Sequence, residues 1–181
     1  TLTNTLVFAV PGISLSVLLP AITEELNLSL FQAGLAWGFA SLPTIVSFLI
    51  AGSFIDRYGP RRVLILMCIL SGLLGASRGL ATSFGFLLLS IALAGFFNPF
   101  INLSSIKNIS RWFPSEQMGL ANGVLSLGMG VGFFVGSIVS ANFIAPWVGG
   151  WRNTFFVYGV ISFLFFLPWL FTPKTPPVKS T

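Results

Sequence analysis

The sequence predicts an all-α integral membrane protein with six membrane-crossing helices. Three observations carry this. Hydrophobic residues make up 55% of the 181 residues and charged residues only 7%, where a soluble domain averages about 25% charged. Cutting the chain at its charges leaves uncharged stretches at 1–23, 26–55, 63–77, 79–106, 117–151 and 153–173. Five of these exceed the roughly 20 apolar residues that a helix needs to span a bilayer. The runs are continuous rather than alternating, and in lipid only helices or closed barrels satisfy their backbone groups, so helices are predicted.

The first helix is expected over 2–20, interrupted by Pro11-Gly12 and reaching Pro20. The second is expected over 29–54. It opens on Ser29-Leu30-Phe31-Gln32, a capping box in which the Ser hydroxyl and the Gln amide cover free N–H groups. The third, over 61–80, is short. Arg62 and Arg78 lie about 24 Å apart along a helix axis, and both can snorkel outward to the two interfaces. The fourth is expected over 84–106, with Gly95 and Pro99 near its middle. The fifth, over 117–141, follows Pro114-Ser115-Glu116, where the acid meets the positive end of the helix dipole. The sixth, over 152–171, is rich in Phe. Helices 3 and 6 carry few polar residues and are expected to face lipid.

Orientation follows from the basic residues. Arg57, Arg61, Arg62, Lys107, Arg111, Lys174 and Lys179 fall in alternate loops, while the opposite loops hold Arg78, Arg152, Glu24 and Glu25. By the positive-inside rule both ends of the chain are expected in the cytoplasm, in a plasma or inner cell membrane. The net charge of +5 reflects this bias; no basic face suggests nucleic acid. Cys68 is the single cysteine and there is no histidine, which excludes a disulfide framework and a cysteine-based metal site. No cofactor and no metal are expected. An intramembrane enzyme is a poor third reading, and no enzyme is expected, since there is no histidine and Asp and Glu are confined to loops, so no acid–base or nucleophilic constellation forms in the membrane. Two domains are expected: a six-helix domain over 1–172, and the start of a cytoplasmic linker over 173–181. The chain begins at Thr1 and ends in Pro173-Lys174-Thr175-Pro176-Pro177-Val178-Lys179, and is expected to be part of a longer protein.

Helices 1 and 4 hold matching places in two three-helix units, and both are interrupted. The loop after helix 2 faces inward and that after helix 5 outward, so the two repeats are expected to be inverted. Helix 5 carries Gly128, Gly132 and Gly136 on one face, small-xxx-small spacing that lets two backbones approach closely, as static packing or as a sliding seam. Helix 4 presents Ile91, Gly95, Asn98, Asn102 and Ser105 on one face; helix 2 presents Trp37 and Ser41, and helix 1 Asn4 and Ser16. Buried amides need partners in lipid, which either a solute path or interhelical packing supplies.

The most informative stretch is Gly52-Ser53-Phe54-Ile55-Asp56-Arg57-Tyr58-Gly59-Pro60-Arg61-Arg62. Its arrangement, Gly-x-x-x-Asp-Arg-x-Gly-x-Arg-Arg, resembles the loop between helices 2 and 3 of the major facilitator superfamily (MFS) of secondary transporters. Leu18-Leu19-Pro20-Ala21, Arg111-Trp112-Phe113-Pro114 with Gly119-Leu120-Ala121-Asn122-Gly123, and Gly149-Gly150-Trp151-Arg152 are similar to other segments of that family, in the same order. The resemblance implies the amino-terminal half of a twelve-helix fold, with a missing carboxy-terminal six-helix half as partner. It implies that helices 1, 2, 4 and 5 border a cavity, so that Asn98, Asn102, Trp37, Ser41, Asn4 and Ser16 are substrate-pathway candidates. It also implies a gating role for Gly52, Asp56, Arg57, Gly59, Arg61 and Arg62. There Asp56 faces a helix of the second half, and the arginines pair with it or with lipid phosphates. Two positions depart from the family pattern: Ile91 where members often carry Arg, and Gly136-Ser137 where drug–proton antiporters often carry Gly-Pro.

The function implied is transport of a small solute by alternating access. The alternative is a receptor or assembly protein on the same scaffold. No carboxylate lies mid-membrane, and no central Arg or Lys is expected to be available for an anion.

Overall fold

A computed structural model describes residues 1–171; the expected linker, with Lys174 and Lys179, and Thr172 lie outside the described residues. Among the described residues six helices are long and apolar enough to cross a membrane: α1 (Asn4–Glu25), α2 (Leu30–Tyr58), α3 (Pro60–Arg78), α4 (Phe84–Trp112), α5 (Ser115–Val148) and α6 (Trp151–Phe171). Several run past the limits drawn from hydropathy. α4 continues through Lys107 to Trp112, and α5 reaches Val148, because helical hydrogen bonding does not stop where the hydrocarbon does. The turn between α2 and α3 is correspondingly tight. Gly59 alone separates the two helices, at φ 84° and ψ 143°, a region that side chains other than hydrogen seldom enter.

Helix starts follow local chemistry. Ser29 accepts from the Gln32 N–H at 3.2 Å and its own N–H donates to Gln32 Oε1 at 2.9 Å, the capping box that the sequence predicts. Ser83 caps α4 by accepting from the Phe86 N–H at 3.4 Å. The Ser115 hydroxyl does not cap α5; it donates to Glu116 Oε1 at 3.0 Å.

The prolines shape the interior. A proline has no N–H to donate to the carbonyl four residues earlier, so Pro99 frees the Gly95 carbonyl and Pro11 frees the Val7 carbonyl. Both are taken by a hydroxyl from another helix: Thr44 donates to the Gly95 carbonyl at 2.8 Å, and Ser71 to the Val7 carbonyl at 3.5 Å. Ser47 adds a bond to the Phe96 carbonyl. The interruptions of α1 and α4 are thus crosslinked to α3 and α2. At the same crossing a Cβ on Gly95 would lie 2.5 Å from the Ala40 carbonyl oxygen, and α2 breaks at Ala40 between its two helical segments.

The pairing of helices is that of a two-fold exchange between units 1–3 and 4–6: α2 packs on α4 as α5 packs on α1, and α3 packs on α6. Gly128, Gly132 and Gly136 of α5 lie against α1. A Cβ on Gly132 would come 2.8 Å from the Ala9 Cβ, and one on Gly136 would come 3.0 Å from the Val10 Cα. Gly128 meets Thr1 and Thr5, and the Thr5 hydroxyl donates to its carbonyl at 2.8 Å. Farther along, Ser14, Ser140 and Tyr158 join hydroxyls across α1, α5 and α6 at 2.8 and 2.7 Å. Both helices carry a π-helical segment here, Asn4–Ala9 and Ser140–Ile144.

α3 and α6, expected to face lipid, do expose apolar side chains, Leu66 and Leu73 on α3 and Val160 and Leu164 on α6, and they also pack on each other. They form a close glycine-lined contact, through Gly72, Gly75 and Gly159, while α2 and α5 bury the smallest share of their surface. Apolar side chains do not distinguish a lipid neighbour from a helix neighbour, because both are hydrocarbon. Two apolar clusters form the core. One holds Val63, Leu64, Met67, Cys68, Phe100 and Ile101 on the arginine-rich side; the other holds Leu15, Leu18, Ile22, Leu87, Trp151 and Phe155 on the opposite side.

Candidate functional site

A cavity of about 300 Å³ opens among α1, α2, α3 and α4. Its walls are Phe8, Pro11, Gly12 and Leu15 of α1, Trp37, Ala40 and Ser41 of α2, Ser71, Gly75 and Arg78 of α3, and Ile91, Gly95 and Asn98 of α4. The α3 and α4 residues recur at i, i+4 and i+7, one face of each helix. Trp37 is 53% exposed and Ser41 is exposed, and together they mark the open side. The size lies at the small end of the range for ligand cavities, about 300–1,000 Å³. No acidic residue lines it.

Of the pathway candidates, the structure brings Trp37, Ser41 and Asn98 to this cavity and places Asn4 and Asn102 elsewhere. Asn4 is fully buried. Its amide donates to Asn102 Oδ1 at 3.3 Å and to Met129 Sδ at 3.7 Å, and its carbonyl accepts from Ser105 at 2.6 Å. The two amides therefore knit α1, α4 and α5 together. Asn98 lies one turn from Asn102 and shares its stripe, but Asn98 lines the cavity while Asn102 bonds Asn4 of α1. Ser16 is not among the cavity residues; its hydroxyl is buried without a hydrogen-bond partner among the described residues.

α5 contributes no residue to this cavity, whereas α3 contributes Ser71, Gly75 and Arg78. Arg78 is the residue that sequence reasoning misplaced. It ends α3, as expected, but its side chain is only 7% exposed and lines the cavity. Gly79 packs so closely on α6 that a Cβ there would lie 2.6 Å from the Arg152 carbonyl oxygen. That contact closes the outward route for the neighbouring side chain. The only available signal was that helix 3 is too short to place Arg78 far outside the hydrocarbon.

At the arginine-rich end, Lys107 Nζ of α4 lies 2.5 Å from Asp56 Oδ1 and 3.1 Å from the Gly52 carbonyl oxygen. Among the described residues none of the three neighbouring arginines bonds Asp56; Lys107 does. The arginines point elsewhere: Arg61 donates to the Trp169 and Leu170 carbonyls of α6 at 2.9 Å each. Arg57 lies over the Tyr58 ring at 5.6 Å, and Arg62 is exposed. The lysine reaches Asp56 because α4 stays helical past the hydrocarbon, whereas the sequence placed Lys107 in a loop. A Cβ on Gly52 would meet nothing within 4 Å.

At the other end, Glu25 accepts from the Trp151 indole N–H at 2.5 Å and from Arg152 Nε at 2.8 Å. Arg152 also donates to the Gly79 and Ala81 carbonyls at 3.1 and 2.6 Å. This cluster ties α1 and α6 to the α3–α4 turn. Among the described residues each face of the bundle is thus latched by one ion pair, Asp56–Lys107 and Glu25–Arg152.

The family model of the Major Facilitator Superfamily matches residues 1–181. Among curated proteins, a probable nitrate/nitrite antiporter of Thermus thermophilus is 33% identical over 184 residues, covering 96% of this chain and 41% of that protein. A probable sulfoacetate transporter of Cupriavidus necator is 26% identical over 169 residues, covering 93% and 39%. A hexuronate transporter of Escherichia coli K12 is 25% identical over 157 residues, covering 87% and 36%. The chain spans about two fifths of the length of these relatives.

Proposed function

Since this chain belongs to the Major Facilitator Superfamily, we propose that it is the amino-terminal half of a secondary transporter that moves a small anionic solute by alternating access. The observation that carries this reading is the cavity among α1–α4, in which Ser41, Ser71, Arg78 and Asn98 interrupt an otherwise largely apolar wall. The names of the relatives support an anion: nitrate, sulfoacetate and hexuronate all carry negative charge.

A second six-helix half is the proposed partner. It would rest against the outer faces of α2 and α5, where Gly34, Gly38, Gly52, Gly119, Gly123 and Gly130 have nothing within 4 Å of a built Cβ. Such faces let another helix approach closely. The arginine-rich end is the proposed cytoplasmic side, by the positive-inside rule. There Asp56 acts as a gate element. Its bond to Lys107 holds the ends of α2 and α4 together, and its carboxylate is free to exchange this partner for one on the second half when the side opens.

The pair is mostly solvent-accessible at Asp56, 69% exposed, so its contribution to stability is small, about 0.2–1 kcal/mol. Asp56→Asn in the complete transporter should therefore insert and fold normally. Solute exchange in proteoliposomes should slow about fivefold or more, the scale of a coupling of about 1 kcal/mol between gate and cavity. Lys107→Ala should give the same defect. Unaltered exchange in both variants would reduce the turn to a topological anchor.

A further inference from the structure

We propose that Arg78 is the group that recognises the solute's negative charge. This rests on the reading of the α1–α4 cavity as a solute path. It adds a specific residue, and one that lies on α3.

The guanidinium is built into the wall in a way that neither a membrane anchor nor a structural ion pair requires. An anchoring arginine keeps its head in water or headgroups, whereas Arg78 is only 7% exposed. A structural arginine covers carbonyls or carboxylates, as Arg61 and Arg152 do here. Arg78 makes no side-chain hydrogen bond among the described residues, and its Nε is buried without an acceptor. Its recorded partner is the face of Phe155, 5.8 Å from the guanidinium carbon to the ring centroid, which supports the charge from behind without using its N–H groups. No carboxylate lines the cavity. A guanidinium carries five N–H donors and does not escape burial by losing its proton. Left unpaired in a low-dielectric site it is costly, and an arriving anion relieves that cost.

The chemistry of the wall defines the ligand class. A planar fork of donors matches an oxyanion that presents two oxygens side by side, as in a carboxylate, a nitrate or a sulfonate. The other polar groups on the wall are neutral: the Ser41 and Ser71 hydroxyls, the Asn98 amide and the Trp37 indole N–H. They suit hydroxyl or oxygen atoms on the rest of a small solute. A volume of about 300 Å³ favours one compact anion.

The test uses the complete transporter, purified and chloride-free, with sodium nitrate, sodium D-galacturonate and sodium sulfoacetate as probes and D-galactose as the neutral control. Thermal unfolding reads binding, because a ligand raises apparent stability only as far as it binds the folded state. At least one anion should stabilise the wild type and galactose should not. Arg78→Gln should weaken that anion's affinity about ten- to a hundredfold, as expected for loss of a charge-assisted hydrogen-bond pair, and Arg78→Lys should retain part of it. Arg78→Met should leave the empty protein as stable as the wild type or more so, since an unpaired buried charge is removed. If an anion binds the wild type and Arg78→Gln binds it equally well, the assignment of Arg78 is wrong while the anion path stands. If no anion stabilises the wild type, the anionic reading itself fails and Arg78 falls with it. If Arg78→Met lowers the melting temperature of the empty protein while anion affinity holds, Arg78 is a packing residue.

Discussion

Gly72→Leu should prevent the six helices from assembling stably. A Cβ on Gly72 would lie 2.7 Å from both the Phe163 Cβ and the Phe163 backbone nitrogen, and 2.8 Å from the Gly159 carbonyl oxygen. These atoms belong to the backbone or sit next to it, so no rotamer change relieves the clash. On the facing helix, a Cβ on Gly159 would meet the Ala76 nitrogen at 2.7 Å and the Ala76 Cβ at 2.8 Å. α3 and α6 would have to separate along this line. Overpacking costs about 1–3 kcal/mol, and more where backbone must move; leucine's better helix propensity, worth about 1 kcal/mol over glycine, recovers only part. A loss of about 3 kcal/mol or more is expected, read as a lowered detergent melting temperature or as failure to accumulate in the membrane. Gly85→Ala is the matched control. Nothing lies within 4 Å of its built Cβ, and its stability should stay within about 1 kcal/mol of the wild type.

A second large effect should separate two asparagines of neighbouring environments. Asn4→Ala removes an amide that serves Asn102, Ser105 and Met129 at once, leaving the buried Ser105 hydroxyl and the Asn102 carbonyl without their partner. Interhelical polar bonds in membranes average about 0.6 kcal/mol each, and stranding a buried donor adds about 1–3 kcal/mol. The empty protein should lose about 1–3 kcal/mol of stability, with solute affinity largely kept. Asn98→Ala, on the cavity wall, should do the reverse: weaker solute affinity and nearly unchanged stability. Titrating solute against the melting temperature of each variant checks both. A stability loss in Asn98→Ala with affinity intact would remove Asn98 from the path.

The six spans were legible because charge is nearly excluded from hydrocarbon, so thirteen charged residues (nine basic and four acidic) mark the boundaries by themselves. The Ser29–Gln32 box was legible because capping is local chemistry, complete within four residues. What the sequence could not show depends on which helix faces which. The α3–α6 contact is built from Gly72, Gly75 and a single Gly159 on α6; one glycine makes no repeat, whereas Gly128, Gly132 and Gly136 do. The Asn4–Asn102 bond and the Asn98 wall position look alike along one helical stripe, and only the partners on the neighbouring helices tell them apart. Lys107 was assigned to a loop because hydropathy ends before the helix does, and this hid the partner of Asp56. Arg78 was placed at an interface by counting residues, since length fixes a depth along the helix and says nothing of the direction in which a side chain points.

The measurement that bears most directly on alternating access through this cavity is the reactivity of a cysteine at Asn98 from each side of the membrane. The complete transporter would carry Asn98→Cys with Cys68→Ala and no other cysteine, in vesicles of known orientation, probed with an impermeant maleimide. Reagent on either side should label it, the balance between sides should shift when nitrate or galacturonate is added, and Asp56→Asn should shift it in the empty protein. Labelling from one side alone, unchanged by solute and by Asp56→Asn, would contradict a cavity that opens alternately to the two faces.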